Sequence, residues 1–559
     1  MSFQVSRQEK LVIMHQLGAG YHSVHVKNAT SMLKESFVCS TNNRYKANGE
    51  KVQFPVSVIL NNSNTPFFYT VMTSRGTFSD EPLSPAGRLF IDPKTDVVIH
   101  CIAISKNPID LDVAKTALKS SVLVQHPRFC SLLVRDENGF EHWRRTELDI
   151  DRHFIVINNR LNKPGKFVGE HETQGFDDDE GDGDGDGEVA VNQYVADLSV
   201  SSPLSMDKPL WELHLLKAHK CVVFRIHHAL GDGFSLMSML MAGSGKVDVP
   251  AVVPAAVPPI KTEGIKSGKR RDWFWLLSLL WGVFKMVRYT LVFVLEFVVR
   301  SLFVCDMKTV ISGGNGVELW PRKLATAKFL LEDMKEVKRA IPNTTINDVM
   351  LAMVSSGLSR YLEHRTPNAL HEGLRLTGVA MVNVRANPRL QELSEVMEKN
   401  SKARWGNKFG AILIPVFHHK GGNNPLQYLK RAKVMNDKKK HSMEAYFTYK
   451  IRDLVMTLLG PKYVCLLYYK LLCNTTFTIS NFVGPLEHIT LAGHPVSNIK
   501  FNTSSLPQAI SMHMLSYAGR VEMQLLVAKD IIPDPEFLAK CFQDALLEMK
   551  TAAIATNKA

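Results

Sequence analysis

No CxxC pair occurs among the eight cysteines of this 559-residue chain, and none is grouped with histidines at a spacing typical of metal ligands. This absence argues against a structural zinc site and against a disulfide framework, and it favours a reducing compartment. We therefore expect all eight cysteines to be thiols, and we expect neither a metal nor a cofactor in the functional site.

Several catalytic and targeting motifs are also absent. There is no GxSxG nucleophile elbow and no HExxH zinc motif, and "GSGKV" at 243–247 has neither the spacing nor the Lys-Ser/Thr of a phosphate loop. A secretory signal peptide is not evident, because the apolar run at 11–14 is too short for one. We therefore expect the protein to begin in the cytosol.

Charge is unevenly distributed along the chain, although the formal net charge is +13. The basic runs at 266–271 and 430–440 are not interleaved with aromatic residues, which argues against a nucleic-acid partner. Acidic residues concentrate at 176–188, where a calcium-loop frame fails because Gln193 stands at its twelfth position instead of glutamate. We expect a solvated, disordered loop there, followed by a strand at 189–200.

Short apolar strands and helix-like stretches alternate from residue 79 to the end, which predicts an α/β (α+β) fold with 45% hydrophobic residues to fill its core. A Pro-rich stretch at 249–261 marks a linker. The predicted divisions are an N-terminal extension of unknown role at 1–78, an N-terminal domain at 79–248, a linker and hydrophobic segment at 249–310, and a C-terminal domain at 311–559.

The hydrophobic segment at 272–304 is long enough to span a bilayer, but Lys285, Arg288, Glu296 and Arg300 interrupt it. On a helix these four charges share one stripe, and a charge near the bilayer centre costs roughly 2.5 to 3.5 kcal/mol. An interfacial or partly embedded helix, preceded by a basic flank that attracts anionic lipid, fits better than a simple span. A buried interdomain helix is the alternative, and both stay open.

Beyond this segment the pattern predicts two helices within 331–365, the second beginning near Thr345, and strands at 374–387 and 474–485. A strand and a closing helix are predicted within 519–550.

The stretch "VVFRIHHALGDGFSL" combines features that are uncommon together. It reads as a strand that ends in His227 and His228, and successive strand residues face opposite sides, so only one of the two can act as a base in a given cavity. Gly231 and Gly233 permit a tight turn, and Asp232 can fold back or reach an arginine. A lone buried histidine is usually a core residue, yet a histidine without a protein nucleophile also suits direct transfer of a group to a substrate hydroxyl.

"HHALGDG" matches the HHxxxDG motif of coenzyme-A-dependent acyltransferases. Together with the motifs that follow, the chain from about residue 79 to 552 resembles the plant branch of the bifunctional wax ester synthase/diacylglycerol acyltransferase family. The supporting motifs are "EPLSPAGRLF" (81–90), "DKPLWELHLL" (207–216), "TTINDV" (344–349), "MVNVR" (381–385), "GNKFG" (406–410) and "ISNFVGP" (479–485). Residues 1–78 lie outside the resemblance.

The resemblance implies two chloramphenicol-acetyltransferase-like domains around a central substrate tunnel, with a hydrophobic, membrane-associated helix between them. It implies that His228 is the general base, that His227 supports it, and that Asp232 and the neighbouring Gly233 are structural. We expect Asp232 to pair with Arg385, because a buried carboxylate needs a partner and a bidentate arginine would join the two halves. The residues expected along the tunnel are Asn347, Asp348, Asn383, Arg385, Ser480 and Asn481.

The resemblance further implies an O-acyltransferase that uses acyl-CoA as co-substrate and esterifies long-chain alcohols, diacylglycerol or both. Expected partners are these substrates and a membrane lipid surface, at the cytosolic face of the endoplasmic reticulum and, as a second candidate, at the plasma membrane. Two alternatives stay open: a soluble HxxxD alcohol acyltransferase, whose DFGWG motif is absent here, and a catalytically silent lipid-binding protein of the same fold. The acceptor, the chain length and the oligomeric state are left open by the sequence.

Overall fold

The computed structural model describes residues 80–161, 184–246, 273–385, 405–420 and 424–558, together with the backbone of six strands between residues 2 and 71. The chain divides into two compact units, residues 1–79 and 80–559. Three predicted features lie outside the described residues, namely the linker at 249–261, the basic run at 266–271 and the acidic residues 176–183.

The first unit contains two three-stranded antiparallel sheets. Their strands are β1 (Ser2–Ser6), β2 (Lys10–Leu17) and β3 (Gly20–Lys27) in one sheet, and β4 (Phe37–Ser40), β5 (Val56–Asn62) and β6 (Thr65–Val71) in the other. These strands lie in the stretch predicted as an N-terminal extension of unknown role, and that role stays unassigned.

The second unit mixes strands and helices, which confirms the predicted α/β class. Its strands are β7 (Glu81–Pro82), β8 (Val98–Ser105), β9 (Ser131–Arg135), β10 (Glu141–Arg145), β11 (Phe154–Ile157), β12 (Trp211–Leu216), β13 (Cys221–His227), β14 (Gly245–Lys246), β15 (Arg322–Leu330), β16 (Arg375–Asn383), β17 (Phe409–Phe417), β18 (Phe477–Val483), β19 (Ile489–Leu491), β20 (His494–Thr503), β21 (Ile510–Tyr517) and β22 (Arg520–Ala528). Its helices are α1 (Pro85–Leu89), α2 (Leu111–Ser120), α3 (Val122–Gln125), α4 (Asp184–Ser201), α5 (Gly233–Gly243), α6 (Trp273–Leu302), α7 (Leu331–Arg339), α8 (Ile346–Arg365), α9 (Leu426–Lys440), α10 (Glu444–Leu459), α11 (Pro461–Asn474) and α12 (Pro535–Lys558).

Two large sheets organise this unit. The seven-stranded sheet has the order β11-β12-β13-β8-β20-β19-β14, and the six-stranded sheet has the order β15-β22-β21-β18-β16-β17. Strand β20 comes from the C-terminal half of the chain but pairs antiparallel with β8 in the first sheet. Just beyond this pairing, the Val98 N–H donates to the Ser504 Oγ at 2.9 Å. The two halves are therefore joined by a strand that crosses from one to the other.

Residues 189–200, which we predicted as a strand, form part of α4. The buried residues Val191, Val195 and Ser199 recur every four positions, so the buried side is a helical stripe packed between the two large sheets. The short β-branched run suggested a strand, but this packing overrides local propensity. Glu188, near the start of α4, accepts hydrogen bonds from Lys328 and Lys500, so the disordered-loop prediction is wrong for 184–188.

Helix α6 occupies the predicted hydrophobic segment and turns two charges of its polar stripe, Glu296 and Arg300, towards the protein, whereas Arg288 is exposed. The Glu296 carboxylate pairs with Arg375, and Arg300 Nη1 donates to Asp306 Oδ1 at 2.9 Å. Much of the helix is not buried between domains, because its opposite side exposes Leu280, Phe284, Val287, Leu291 and Leu295. Within the described part of the chain, no helix is long and apolar enough to cross a membrane.

Most C-terminal elements match the sequence predictions. Helix α8 begins after Thr345, and the three residues assigned to its apolar face, Val349, Met353 and Leu358, are fully buried. The predicted strands appear as β16, β18 and β22, and the closing helix appears as α12. The seven cysteines in the described residues are free thiols, as expected.

Candidate active site

The two adjacent histidines lie where β13 ends and the turn into α5 begins. As the strand alternation predicts, their side chains point apart. His227 accepts a hydrogen bond from the Ala229 N–H on Nδ1 (3.1 Å), and its Nε2 lies 3.0 Å from Asp96 Oδ1. His228 instead faces Phe90 and Asn407. His227 is thus tied into the turn, and His228 is the histidine that faces the second half of the chain.

Asn407 determines which nitrogen of His228 carries the proton. The Asn407 Nδ2 donates to the His228 main-chain oxygen at 2.8 Å, and that oxygen can only accept. The amide oxygen of Asn407 must therefore face the His228 Nδ1, 3.0 Å away, so Nδ1 carries the hydrogen. The lone pair of the neutral imidazole is then on Nε2, the nitrogen that can accept a proton.

The surroundings of His228 keep its imidazole neutral. The Phe90 ring stacks on it with centroids 4.0 Å apart, and the Phe409 ring meets it edge-on at 5.9 Å. Burial lowers the pKa of His228 to about 4, although the charge of Asp232 acts in the opposite direction. His228 is therefore uncharged, and able to accept a proton, throughout the neutral pH range.

Asp232 forms the predicted bidentate pair with Arg385. The two oxygen–nitrogen distances are 2.8 and 3.1 Å, and the side chains are only 9% and 4% exposed. Asp232 Oδ1 also accepts from the Ser235 N–H and caps α5, while Oδ2 accepts from the Lys408 N–H at 2.9 Å. The carboxylate has no role left for chemistry, because all of its contacts hold the turn and join the two halves.

Residues 405–408, which belong to the C-terminal half, add further contacts between the two halves. The Trp405 indole donates to the Leu230 carbonyl oxygen at 2.9 Å, and the Gly406 carbonyl oxygen accepts from Arg385 and Ser235. The sequence showed "GNKFG" only as a matching motif and gave no role to Asn407 or Trp405. Their function depends on contacts made across the fold, which spacing along the chain does not reveal.

Gly233 is required for space and not for its backbone angles. Neither Gly231 nor Gly233 has a positive φ, so the turn does not depend on a left-handed backbone conformation. A Cβ atom on Gly233 would instead lie 2.2 Å from the Phe482 ring. This ring belongs to β18, so Gly233 lets the second sheet approach the motif closely.

The residues expected along a tunnel fall into separate groups. Asn383 Oδ1 accepts from the Arg385 main-chain N–H at 3.0 Å and helps to orient that arginine. Asn481 Nδ2 donates to Asn347 Oδ1 at 2.7 Å, which brings two of the matching motifs together. Asp348 is fully buried, and its carboxylate accepts from the Thr345 N–H at 2.7 Å at the start of α8. A place for these residues on a tunnel wall stays a prediction.

Ser480 contacts His513, a buried histidine that the sequence did not single out. The Ser480 Oγ lies 2.7 Å from His513 Nδ1, and the Thr503 Oγ1 lies 3.2 Å from His513 Nε2. Burial, together with the charge of a protonated His228, lowers the pKa of His513 to about 4. Both histidines are therefore neutral at neutral pH. In the sequence His513 stands alone in an apolar strand, with no signal to distinguish it from a core residue.

Comparison of the sequence with known proteins gives consistent matches. The sequence model of the wax ester synthase/diacylglycerol acyltransferase catalytic domain matches residues 190–350, and that of the WS/DGAT C-terminal domain matches 405–550. Wax ester synthase/diacylglycerol acyltransferase 11 of Arabidopsis thaliana is 33% identical over 86% of this chain and 97% of its own length. Wax ester synthase/diacylglycerol acyltransferase 4 of the same plant is 34% identical over 85% of this chain and 90% of its own length.

Among solved structures, the trichothecene 15-O-acetyltransferase of Fusarium sporotrichioides superposes with a TM-score of 0.51. The match covers 85% of this chain and 95% of that chain, with 11% sequence identity. At this identity the likeness concerns the fold alone. It agrees with the mixed α/β architecture of two sheets that the second unit displays.

Proposed function

The chain belongs to the wax ester synthase/diacylglycerol acyltransferase family, and from this membership we propose how its residues carry out the transfer. The chain is an acyltransferase. The proposed donor is acyl-CoA, and the proposed acceptors are long-chain alcohols and diacylglycerol. The observation that supports this proposal most directly is the neutral His228 imidazole, whose tautomer Asn407 fixes with the lone pair on Nε2.

In the proposed reaction, His228 Nε2 takes the hydroxyl proton of the acceptor while the acceptor oxygen attacks the thioester carbonyl carbon. The tetrahedral oxyanion then collapses, the carbon–sulfur bond breaks, and the CoA thiolate takes the proton from Nε2. His228 is neutral again at the end, and no covalent acyl-enzyme forms. His227 and the Asp232–Arg385 pair support the turn that carries His228 without touching the reacting atoms.

Purified protein supplied with radiolabelled palmitoyl-CoA should form labelled ester with hexadecanol, with diacylglycerol or with both. The ratio of the two products, measured by chromatography of the extracted lipids, identifies the preferred acceptor. Butanol serves as a water-soluble reference acceptor. If folded protein transfers no label to any of the three, the catalytically silent lipid-binding alternative replaces this proposal.

We further propose that α6 lies on a lipid surface, at the cytosolic face of the endoplasmic reticulum membrane. Glu296 and Arg300 of its polar stripe are paired within the protein, whereas its outward side exposes large apolar residues in a row. Exposed apolar rows of this kind mark surfaces that bind lipid or protein. The lipid interpretation is supported by the basic run "KSGKRR" directly before the helix, which anionic headgroups attract.

Changing Leu280, Phe284, Leu291 and Leu295 together to serine should release the protein from membranes without unfolding it. Each large side chain withdrawn from lipid forfeits up to roughly 1.5 to 3 kcal/mol, more than the roughly 1 kcal/mol that each nearby basic residue supplies. Flotation with vesicles containing phosphatidylserine measures the release.

The matched control changes four exposed apolar residues elsewhere to serine, namely Val113, Met206, Leu319 and Leu547. This control should still float with the vesicles. If the α6 variant floats equally well, the anchor is not α6. If it unfolds, the outward residues stabilise the fold instead of contacting lipid.

A further inference from the structure

We propose that the apolar cavity beneath α6, α10 and α11 binds the hydrocarbon chain of the acyl acceptor and admits it from the lipid surface. The inference rests on the proposed function, since it concerns where one of the two substrates binds. It assigns a site in the C-terminal half that is separate from the HHxxxDG turn.

The cavity has a volume of about 220 Å³, and its wall is almost entirely apolar. The lining includes Phe297 and Val298 on α6, Ala411 on β17, and Val455 and Leu471 on α10 and α11. Its contents must therefore be apolar as well, because a polar ligand would lose hydrogen bonds to water without replacement.

Three polar side chains of the wall are already paired within the protein. Ser301 Oγ donates to the Phe297 carbonyl oxygen at 2.7 Å, and Thr448 Oγ1 donates to the Ala411 carbonyl oxygen at 2.8 Å. Arg452 donates to the Phe409 carbonyl oxygen and pairs with the neighbouring aspartate. Apart from the Tyr468 hydroxyl, the wall thus presents hydrocarbon to a ligand, as an alkyl or acyl chain requires.

The inner end of the cavity lies beside the proposed base. Phe409 and Leu89 both line the cavity. The Phe409 ring meets the His228 imidazole edge-on, and Phe90, which follows Leu89, stacks on the same imidazole. Phe409 therefore separates the cavity from the imidazole, and a chain lying in the cavity would approach His228 from this side. Its terminal hydroxyl would then be close to the nitrogen that must accept the proton.

The outer cover of the cavity exposes apolar residues on all three helices. Besides the outward row of α6, these are Leu454, Leu458 and Leu459 on α10, and Tyr463 and Leu466 on α11. The exposed basic residues Lys450 and Lys462 lie on α10 and α11, which suits an anionic bilayer. A long-chain alcohol or diacylglycerol is dissolved in such a bilayer, whereas the CoA thioester carries charged phosphates. The cavity that opens beneath this cover therefore fits the acceptor better than the donor.

A second apolar cavity supplies a matched control. It has a volume of about 230 Å³ and lies against the seven-stranded sheet, lined by β8, β12, β13 and β20 and by helices α2 and α5. Ala103 on β8 lines it, just as Ala411 on β17 lines the first cavity. Equivalent substitutions of these two alanines add the same volume to each cavity.

The experiment compares Ala411→Phe with Ala103→Phe in full-length protein. Transfer from palmitoyl-CoA is measured with hexadecanol and with hexanol as acceptors. Ala411→Phe should lower the ratio of kcat/KM for hexadecanol to that for hexanol by roughly tenfold or more, because excluding about two methylenes from an apolar site accounts for that factor. Ala103→Phe should leave this ratio unchanged.

The proposal is overturned if Ala411→Phe leaves the ratio unchanged, or if it discriminates between short and long acyl-CoA instead of between alcohols. Should Ala411→Phe fail to fold, Val298→Phe on the partly exposed helix α6 replaces it, with the same expected result. Wild-type protein without activity towards either alcohol or diacylglycerol would contradict the proposed function itself, which separates the two failures.

Discussion

Replacement of His228 by alanine is expected to lower kcat/KM for acyl transfer by roughly 100- to 10,000-fold, the usual contribution of a positioned general base. The reason is that no other nitrogen with a fixed lone pair is presented at this turn, since His227 is engaged by Ala229 and Asp96. The assay uses palmitoyl-CoA and hexadecanol, and circular dichroism monitors the fold. His227→Ala, the control, should reduce activity less.

The pH profile of the wild-type protein provides an independent readout of the same group. Because burial lowers the pKa of His228 to about 4, the neutral form that accepts a proton persists as the pH falls below 6.5. Activity should therefore be lost only as the pH approaches about 4. Wild-type turnover by folded His228→Ala protein would refute the mechanism. A loss of activity that already begins near pH 6.5 would contradict the lowered pKa of His228.

Replacement of Asp232 by alanine should lower the free energy of unfolding by roughly 3 to 5 kcal/mol, because it leaves the buried Arg385 guanidinium without its bidentate partner. The same change removes the side-chain cap of α5 and the acceptor of the Lys408 N–H. Urea denaturation measures the loss, and activity should fall with it, since the turn that carries His228 is no longer fixed to the second half.

An exposed ion pair serves as the control for this prediction. Asp207 pairs with Arg152 at the surface, where the two side chains are 62% and 48% exposed. Asp207→Ala should therefore change the unfolding transition little, because water solvates both partners. Equal stabilities for Asp232→Ala and the wild type would show that the buried pair does not hold the halves together.

The predictable part of the site was the part encoded within short stretches of sequence. The alternation of side chains along β13 predicted that His227 and His228 face opposite sides. The need of the buried Asp232 carboxylate for a partner predicted its pairing with Arg385. Asn407 and His513 were missed because their roles come from tertiary contacts, 179 residues apart for Asn407 and His228. A single amide in the sequence carries no sign of such a partner.

The fold shows the same division between local and long-range information. Periodicity located α6, α7, α8 and the strands around Asn383 and Ser480, because each buries one regular face. It failed for α4, whose Val-Ala-Val run resembles a strand until two sheets enclose it. Nor did it assign β20 to the first sheet, because an apolar strand does not indicate which neighbour it will pair with.

The crossing of β20 also bears on how the protein is made. Strand β8 is synthesised early, but its partner on one side follows after almost 400 further residues, as the bond between Val98 and Ser504 spans 406 positions. At ribosomal rates of about 5 to 20 residues per second, that edge of β8 waits on the order of 20 to 80 s. An unpaired apolar edge is a template for association with other chains. We therefore expect nascent molecules to be prone to association until the C-terminal half emerges, and truncation before residue 494 should yield insoluble protein.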